Sequence, residues 1–182
     1  MKIKSKEKPK EDIKPPTYDR ITEGYDPSKT KKIEKGVVKK DKGKKRVVIS
    51  GGFDPIHKGH IDLMKEASKL GELTVIINSD TFLHNKKGYV FMPLEERMEI
   101  VHAIKYVSHV IEAVDTDQTV CETLRIVKPD IFCNGGDRTE KNIPETDICK
   151  ELKIKMKWNV GGTKIQSSSE LVNRIIEHMK EV

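Results

Sequence analysis

Residues 46–60 read RVVISGGFDPIHKGH: a short apolar run, two glycines, then a stretch that opens on two histidines three positions apart. An apolar run this short fits a strand covered on both faces. A glycine turn leading from it straight into a helix is the first half of a strand–helix–strand unit. That unit forces a parallel sheet with right-handed crossovers and helices layered on its faces.

The rest of the chain keeps the alternation. Val47–Ser50 is expected as the first strand and Lys58–Leu70 as a helix with Ile61, Met64 and Leu70 at helical spacing, ending near Gly71. Leu73–Asn78 is a continuous apolar run and so a second buried strand. Ser79–Val90 reads as a polar loop carrying Lys86-Lys87-Gly88, and Pro93 opens a helix through Tyr106 with Leu94, Met98, Val101 and Ile104 as its stripe. Met92, Met98 and Ile100 are expected in the core. Val110–Val114, Asp130–Cys133 and Lys155–Val160 follow as strands. Thr119–Val127, Ile143–Leu152 and Ser168–Met179 are the intervening and final helices. The fold class expected is α/β: a Rossmann-like three-layer sandwich around a five-stranded parallel sheet. Gly51-Gly52, Ser79-Asp80, Asn134–Asp137 and Gly161-Gly162 all follow strands, so they should converge on the carboxyl edge where such sheets bind ligands.

The charge divides the chain in two. Residues 1–46 hold 17 Lys and Arg against 8 Asp and Glu, and residues 47–182 hold 18 against 21. The basic balance therefore belongs to an N-terminal arm, residues 1–45, rich in Lys and Pro and too poor in apolar residues to form a core, hence expected to be flexible. Pro16–Ile21 is the part of it most suited to dock on a surface. The domain, residues 46–182, is mildly acidic, which argues against nucleic acid as its partner. Cys121, Cys133 and Cys149 form no CxxC pair, so neither a zinc site nor a disulfide framework is indicated. No apolar run reaches membrane-spanning length and the N-terminus has no signal-type apolar segment, so a cytoplasmic protein is expected.

The chemistry concentrates after the first strand. Gly51 and Gly52 remove side chains where backbone amides, with the start of the following helix, can meet an anion. His57 and His60 fall on one helical face, so their ring N–H groups can act together on a phosphoryl group, and Gly59 between them leaves room for a flat base or ribose. Asp54 either caps this turn or approaches a substrate.

GGFDPIHKGH resembles the signature of the HxGH nucleotidyltransferase superfamily. Its members include glycerol-3-phosphate and choline-phosphate cytidylyltransferases, heptose-phosphate adenylyltransferase, archaeal-type FAD synthetase and phosphopantetheine adenylyltransferase. Asn78-Ser79-Asp80, Lys86-Lys87-Gly88, Pro93–Arg97, Val127–Asp130, Gly135-Gly136-Asp137 and Ser167–Ser169 stand in the order such proteins use. The resemblance implies that His57 and His60 bind the triphosphate and stabilise the transition state. Lys87, with Lys86, would neutralise phosphate, and Arg97 would contact the phosphorylated acceptor or the triphosphate. Phe53, Asn134, Gly135 and Asp137 would lie at the nucleotide, and Ser167, Ser168 and Ser169 at the β- and γ-phosphates. Arg138 and Lys164 complete the acceptor or triphosphate contacts. The arginine of RTEGIST, carried before the final helix by glycerol- and choline-phosphate enzymes, is missing from Gly161–Ser167, where Lys164 would supply its charge, so the base, ATP or CTP, stays open.

The implied reaction moves a nucleoside monophosphate onto a small phosphorylated sugar, polyol or alcohol and releases pyrophosphate, with Mg²⁺ on the triphosphate and no dedicated metal ligands. FAD synthetase or coenzyme A pathway adenylyltransferase chemistry, and a non-catalytic nucleotide-binding scaffold, are the alternatives. A homodimer is the expected assembly.

Overall fold

The computed structural model describes residues 43–136, 138 and 143–180. Nearly all of the expected arm, and Asp137, lie outside the described residues. The elements run β1 (Arg46–Gly51), α1 (Lys58–Ser68), β2 (Glu72–Ile77), α2 (Asp80–Lys87), α3 (Leu94–His102), β3 (His109–Glu112), α4 (Cys121–Val127), β4 (Ile131–Gly135), α5 (Thr146–Glu151), β5 (Lys155–Val160) and α6 (Ser168–Lys180).

The five strands form one sheet of order β3-β2-β1-β4-β5, with every neighbouring pair parallel. The α/β fold expected from the sequence is the one observed. The chain lays β2 and β3 on one side of β1, then crosses back to place β4 and β5 on the other. Strand order therefore reverses between β1 and β4, and a crevice opens outside their carboxyl ends. The Gly-Gly turn and the histidine pair leave β1 at that point.

Alternation along the strands builds two cores. Val47 and Ile49 of β1, with Leu73 and Val75 of β2, pack against Met64 of α1 and Val101 of α3. Val48, Ile76 and Phe132 point the other way, against Leu124 of α4 and Ile148 of α5. Val47, Val48 and Ile49 are all fully buried, as expected for a strand covered on both faces.

Three local expectations are corrected. The stretch expected as a polar loop, residues 79–90, contains α2: Ser79 Oγ accepts the Phe82 amide at 3.2 Å, Phe82 and Leu83 are buried, and Gly88 ends the helix with a left-handed φ of 82°. Cap chemistry decided this helix where apolar periodicity was too sparse to show it. The helix after Pro93 stops at His102, short of Tyr106. Ile100, expected in the core, is 38% exposed, while Arg97 on the same helix is fully buried.

Candidate active site

His57 is the N-cap of α1 and His60 lies in its first turn. Their rings stack, with centroids 3.7 Å apart and planes inclined by 22°. The backbone N–H of His57 donates to His60 Nδ1 at 3.3 Å, which places the His60 proton on Nε2. Burial, with a smaller contribution from His57, lowers the His60 pKa to about 3. Burial also lowers that of His57, opposed by the nearby Glu170 carboxylate and reinforced by Lys164. Both rings are thus neutral hydrogen-bond donors at neutral pH. The missing side chain of Gly59 serves this pair: a Cβ there would lie 3.1 Å from His57 Cε1 and 3.2 Å from its Nδ1. The room expected for a base or ribose is taken by the imidazole. Likewise, a Cβ on Gly52 would meet Leu83 Cδ2 at 2.6 Å, so this glycine admits a side chain of α2 beneath the turn.

Asp54 ties the turn to the far side of the site. It is 1% exposed; its carboxylate accepts the amides of Phe91 and Met92 at 2.8 and 2.6 Å and pairs with Lys87 Nζ at 2.8 Å. Lys87 Nζ also donates to the Asp54 carbonyl at 2.7 Å. Of the two roles open to Asp54, the fastening one is seen. Arg97 is corrected more sharply. Its guanidinium donates to the carbonyls of Met92, Gly52 and Asn78 at 2.9, 2.8 and 2.8 Å, and to Asp80 Oδ1 at 2.6 Å. With no exposed surface and four bonds inside the protein, it braces the turn after β1 and the start of α2 from below. A direct substrate contact, as the sequence suggested, has no room here.

The other candidate residues converge. Gly51, Gly52, Phe53, Asp54, His57, Gly59, His60, Lys86, Lys87, Asn134, Gly135, Arg138, Lys164, Ser167, Ser168 and Ser169 all line one cavity of about 580 Å³. Ser167 caps α6: its Oγ accepts the Glu170 amide at 3.2 Å, and Glu170 Oε2 accepts the Ser167 amide at 2.9 Å. Ser168 Oγ donates to the Pro55 carbonyl at 2.8 Å and pins α6 to the turn after β1. His57 Nδ1, Asn78 Oδ1 and Asn134 Nδ2 are buried at this cavity with no partner. Orphaned polar atoms clustered at a cavity mark a place where a polar ligand completes the bonding. No group of three or more His, Cys, Asp or Glu side chains suited to a metal occurs among the described residues.

The profile of the cytidylyltransferase-like family matches residues 48–174. This chain belongs to that family of nucleotidyltransferases. Bifunctional protein HldE from Nitratiruptor is 32% identical over 116 residues, 62% of this chain and 25% of the relative. FAD synthase from Pyrococcus horikoshii is 36% identical over 115 residues, 62% of this chain and 72% of the relative. The chain thus spans about a quarter of the HldE relative's length. Among solved structures, the lipopolysaccharide core biosynthesis protein from Thermoplasma volcanium superposes with a TM-score of 0.56 at 28% identity, covering 64% of this chain and 97% of that one. No helix among the described residues is long and apolar enough to cross a membrane.

Several cavity residues were not singled out as site residues in the sequence. Asn78 follows β2, and Gln118, Thr119 and Val120 follow β3, so the strand-end rule alone pointed to them. Glu145, in the connection before α5, gave no signal.

Proposed function

We propose that this nucleotidyltransferase moves a nucleoside monophosphate from ATP or CTP, bound with its Mg²⁺, onto the phosphate of a small sugar, polyol or alcohol phosphate. The stacked His57–His60 pair carries the reading: two neutral N–H-bearing rings, their centroids 3.7 Å apart, at the mouth of a helix. An acceptor phosphate oxygen attacks the α-phosphorus in line, the bond to the β-phosphate oxygen breaks, and pyrophosphate leaves with its electron pair. The acceptor is already ionised at neutral pH, so no general base is needed. Catalysis is positioning plus stabilisation of charge on the equatorial oxygens.

In this reading His57 and His60 donate to the α- and β-phosphates. Lys87 exchanges part of its hold on Asp54 for phosphate; at 14% side-chain exposure it already borders the cavity. Lys86, Lys164 and Arg138 add positive charge at the rim, and the α6 amides with the Ser169 hydroxyl receive the outer phosphates. Asn134, Gly135 and Gly136 flank the base and ribose; Asp137, outside the described residues, is assigned to them by the family motif alone. Arg97 is a positioning residue. The family habit of working as a homodimer is carried over as part of the proposal.

The FAD synthase relative, of which the chain covers 72%, favours FMN as a second acceptor. Pyrophosphate release is the test, measured with ATP, CTP, GTP and UTP against glycerol 3-phosphate, hexose and heptose 1-phosphates, phosphopantetheine and FMN. Thermal shift with each nucleotide alone runs beside it, because the preferred one raises the melting temperature by mass action. Release with one pair is expected; tight nucleotide binding without release from any pair would replace the enzyme with a binding module.

A further inference from the structure

The histidines and Gly59 belong to α1, on one face of the sheet, whereas Val120 and Glu145 border α4 and α5, on the other. The cavity crosses the sheet edge between them. Phosphate-binding groups crowd the α1 and α6 side. The far side is bordered by Val120, and it holds one buried carboxylate, Glu145, which is 8% exposed.

Half of that carboxylate is explained by the fold. Glu145 Oε1 accepts the Val120 amide at 3.0 Å, in the turn that starts α4. The next amides of that turn are held by others: Cys121 by Thr119 Oγ1 at 3.3 Å, and Glu122 and Thr123 by Asp115 at 2.7 and 3.0 Å. Glu145 Oε2 meets no donor among the described residues. A neutral amide side chain would satisfy Val120 equally well without burying a charge. The second oxygen is therefore surplus to the fold, and on a residue that lines the cavity it is open to a donor from a bound molecule.

We propose that Glu145 determines acceptor specificity. Its open oxygen accepts a hydrogen bond from a hydroxyl or ring N–H on the uncharged end of the phosphorylated acceptor, and its charge turns away acceptors with a second anionic group there. This role rests on the nucleotidyl-transfer reading. Sugar and polyol hydroxyls and the imide N–H of a flavin share this chemistry, and the acceptor panel separates them.

The experiment compares the full chain with Glu145→Gln and Glu145→Asp. Pyrophosphate release is followed with glycerol 3-phosphate, hexose 1-phosphate or FMN, and with 3-phosphoglycerate and glucose 1,6-bisphosphate as anionic acceptors. Glu145→Gln keeps an oxygen for Val120, so its melting temperature and the KM for the nucleotide should be unchanged. The KM for the neutral acceptor should rise about 10- to 100-fold, the scale of one hydrogen bond to a charged group, and the bar against anionic acceptors should relax. Glu145→Asp, which keeps the charge, should retain that bar. An unchanged acceptor KM in Glu145→Gln overturns the assignment, as does a shift in the nucleotide KM instead, or equal discrimination by both variants. If the wild-type chain releases no pyrophosphate with any pair, the transfer reading fails and this one with it. Release with an unchanged acceptor KM removes Glu145 alone.

Discussion

At the scale of single residues, the proposed transfer gives two uncharged imidazoles work usually assigned to cations. Replacing His57 or His60 with Ala should lower turnover at least about 10²-fold, the scale of one lost transition-state donor, as read from single-turnover pyrophosphate release. The buried imidazole of His60 also has a pH signature. Its pKa is about 3 in the folded chain against 6.5 in a free side chain, so between these values the unfolded chain binds more protons. Its contribution to stability is complete above pH 6.5 and is lost as pH falls toward 3. Melting temperatures recorded across that window should fall more gently in His60→Asn than in the wild type. The histidine pair and its spacing were legible in the sequence. The use of Gly59 was not, because only coordinates show the His57 ring lying against it, 3.1 Å from where a Cβ would stand. Arg97 was visible as a residue but not as a brace, since its four partners are separated from it by 5 to 45 positions.

At the scale of elements, β1 and β2 were the most readable parts because each holds a dense apolar run, Val47–Ile49 and Val75–Ile77. α2 was the least readable: of its eight residues only Phe82 and Leu83 are buried, and its signals are the Ser79 cap and Gly88. That helix carries Lys86 and Lys87 into the site, so their placement depends on how α2 and the connection after it are held. Asp54 does the holding, through two amides and one ammonium. Asp54→Ala would leave Lys87 with the position-54 carbonyl and the face of the Tyr89 ring, and would strand both amides. A loss of about 3–5 kcal/mol, the scale for breaking a buried pair, is expected from the urea midpoint. Turnover should fall even where the variant remains folded, because Lys87 would no longer be aimed.

At the scale of the whole molecule, the alternation of strands and helices decides where the chemistry sits. It places the ends of β1, β2, β4 and β5 on one edge, and every described candidate residue but Arg97 meets in one cavity there. What escaped the sequence were pairings between elements far apart in the chain, such as Glu145 with Val120, which depend on how α5 packs beside α4. In the proposed transfer, neutral rings at the reacting centre and the cationic side chains of Lys86, Lys87, Lys164 and Arg138 around the same cavity divide two tasks. Drawing in a polyanion over distance belongs to the cations and is subject to Debye screening; the short contacts of the imidazoles are not. Raising sodium chloride from 0.05 to 0.5 M, ~10-fold across the range where the screening length shrinks most, should therefore raise the nucleotide KM steeply while leaving kcat almost flat. In a brine-filled cell such a catalyst would starve before it slowed.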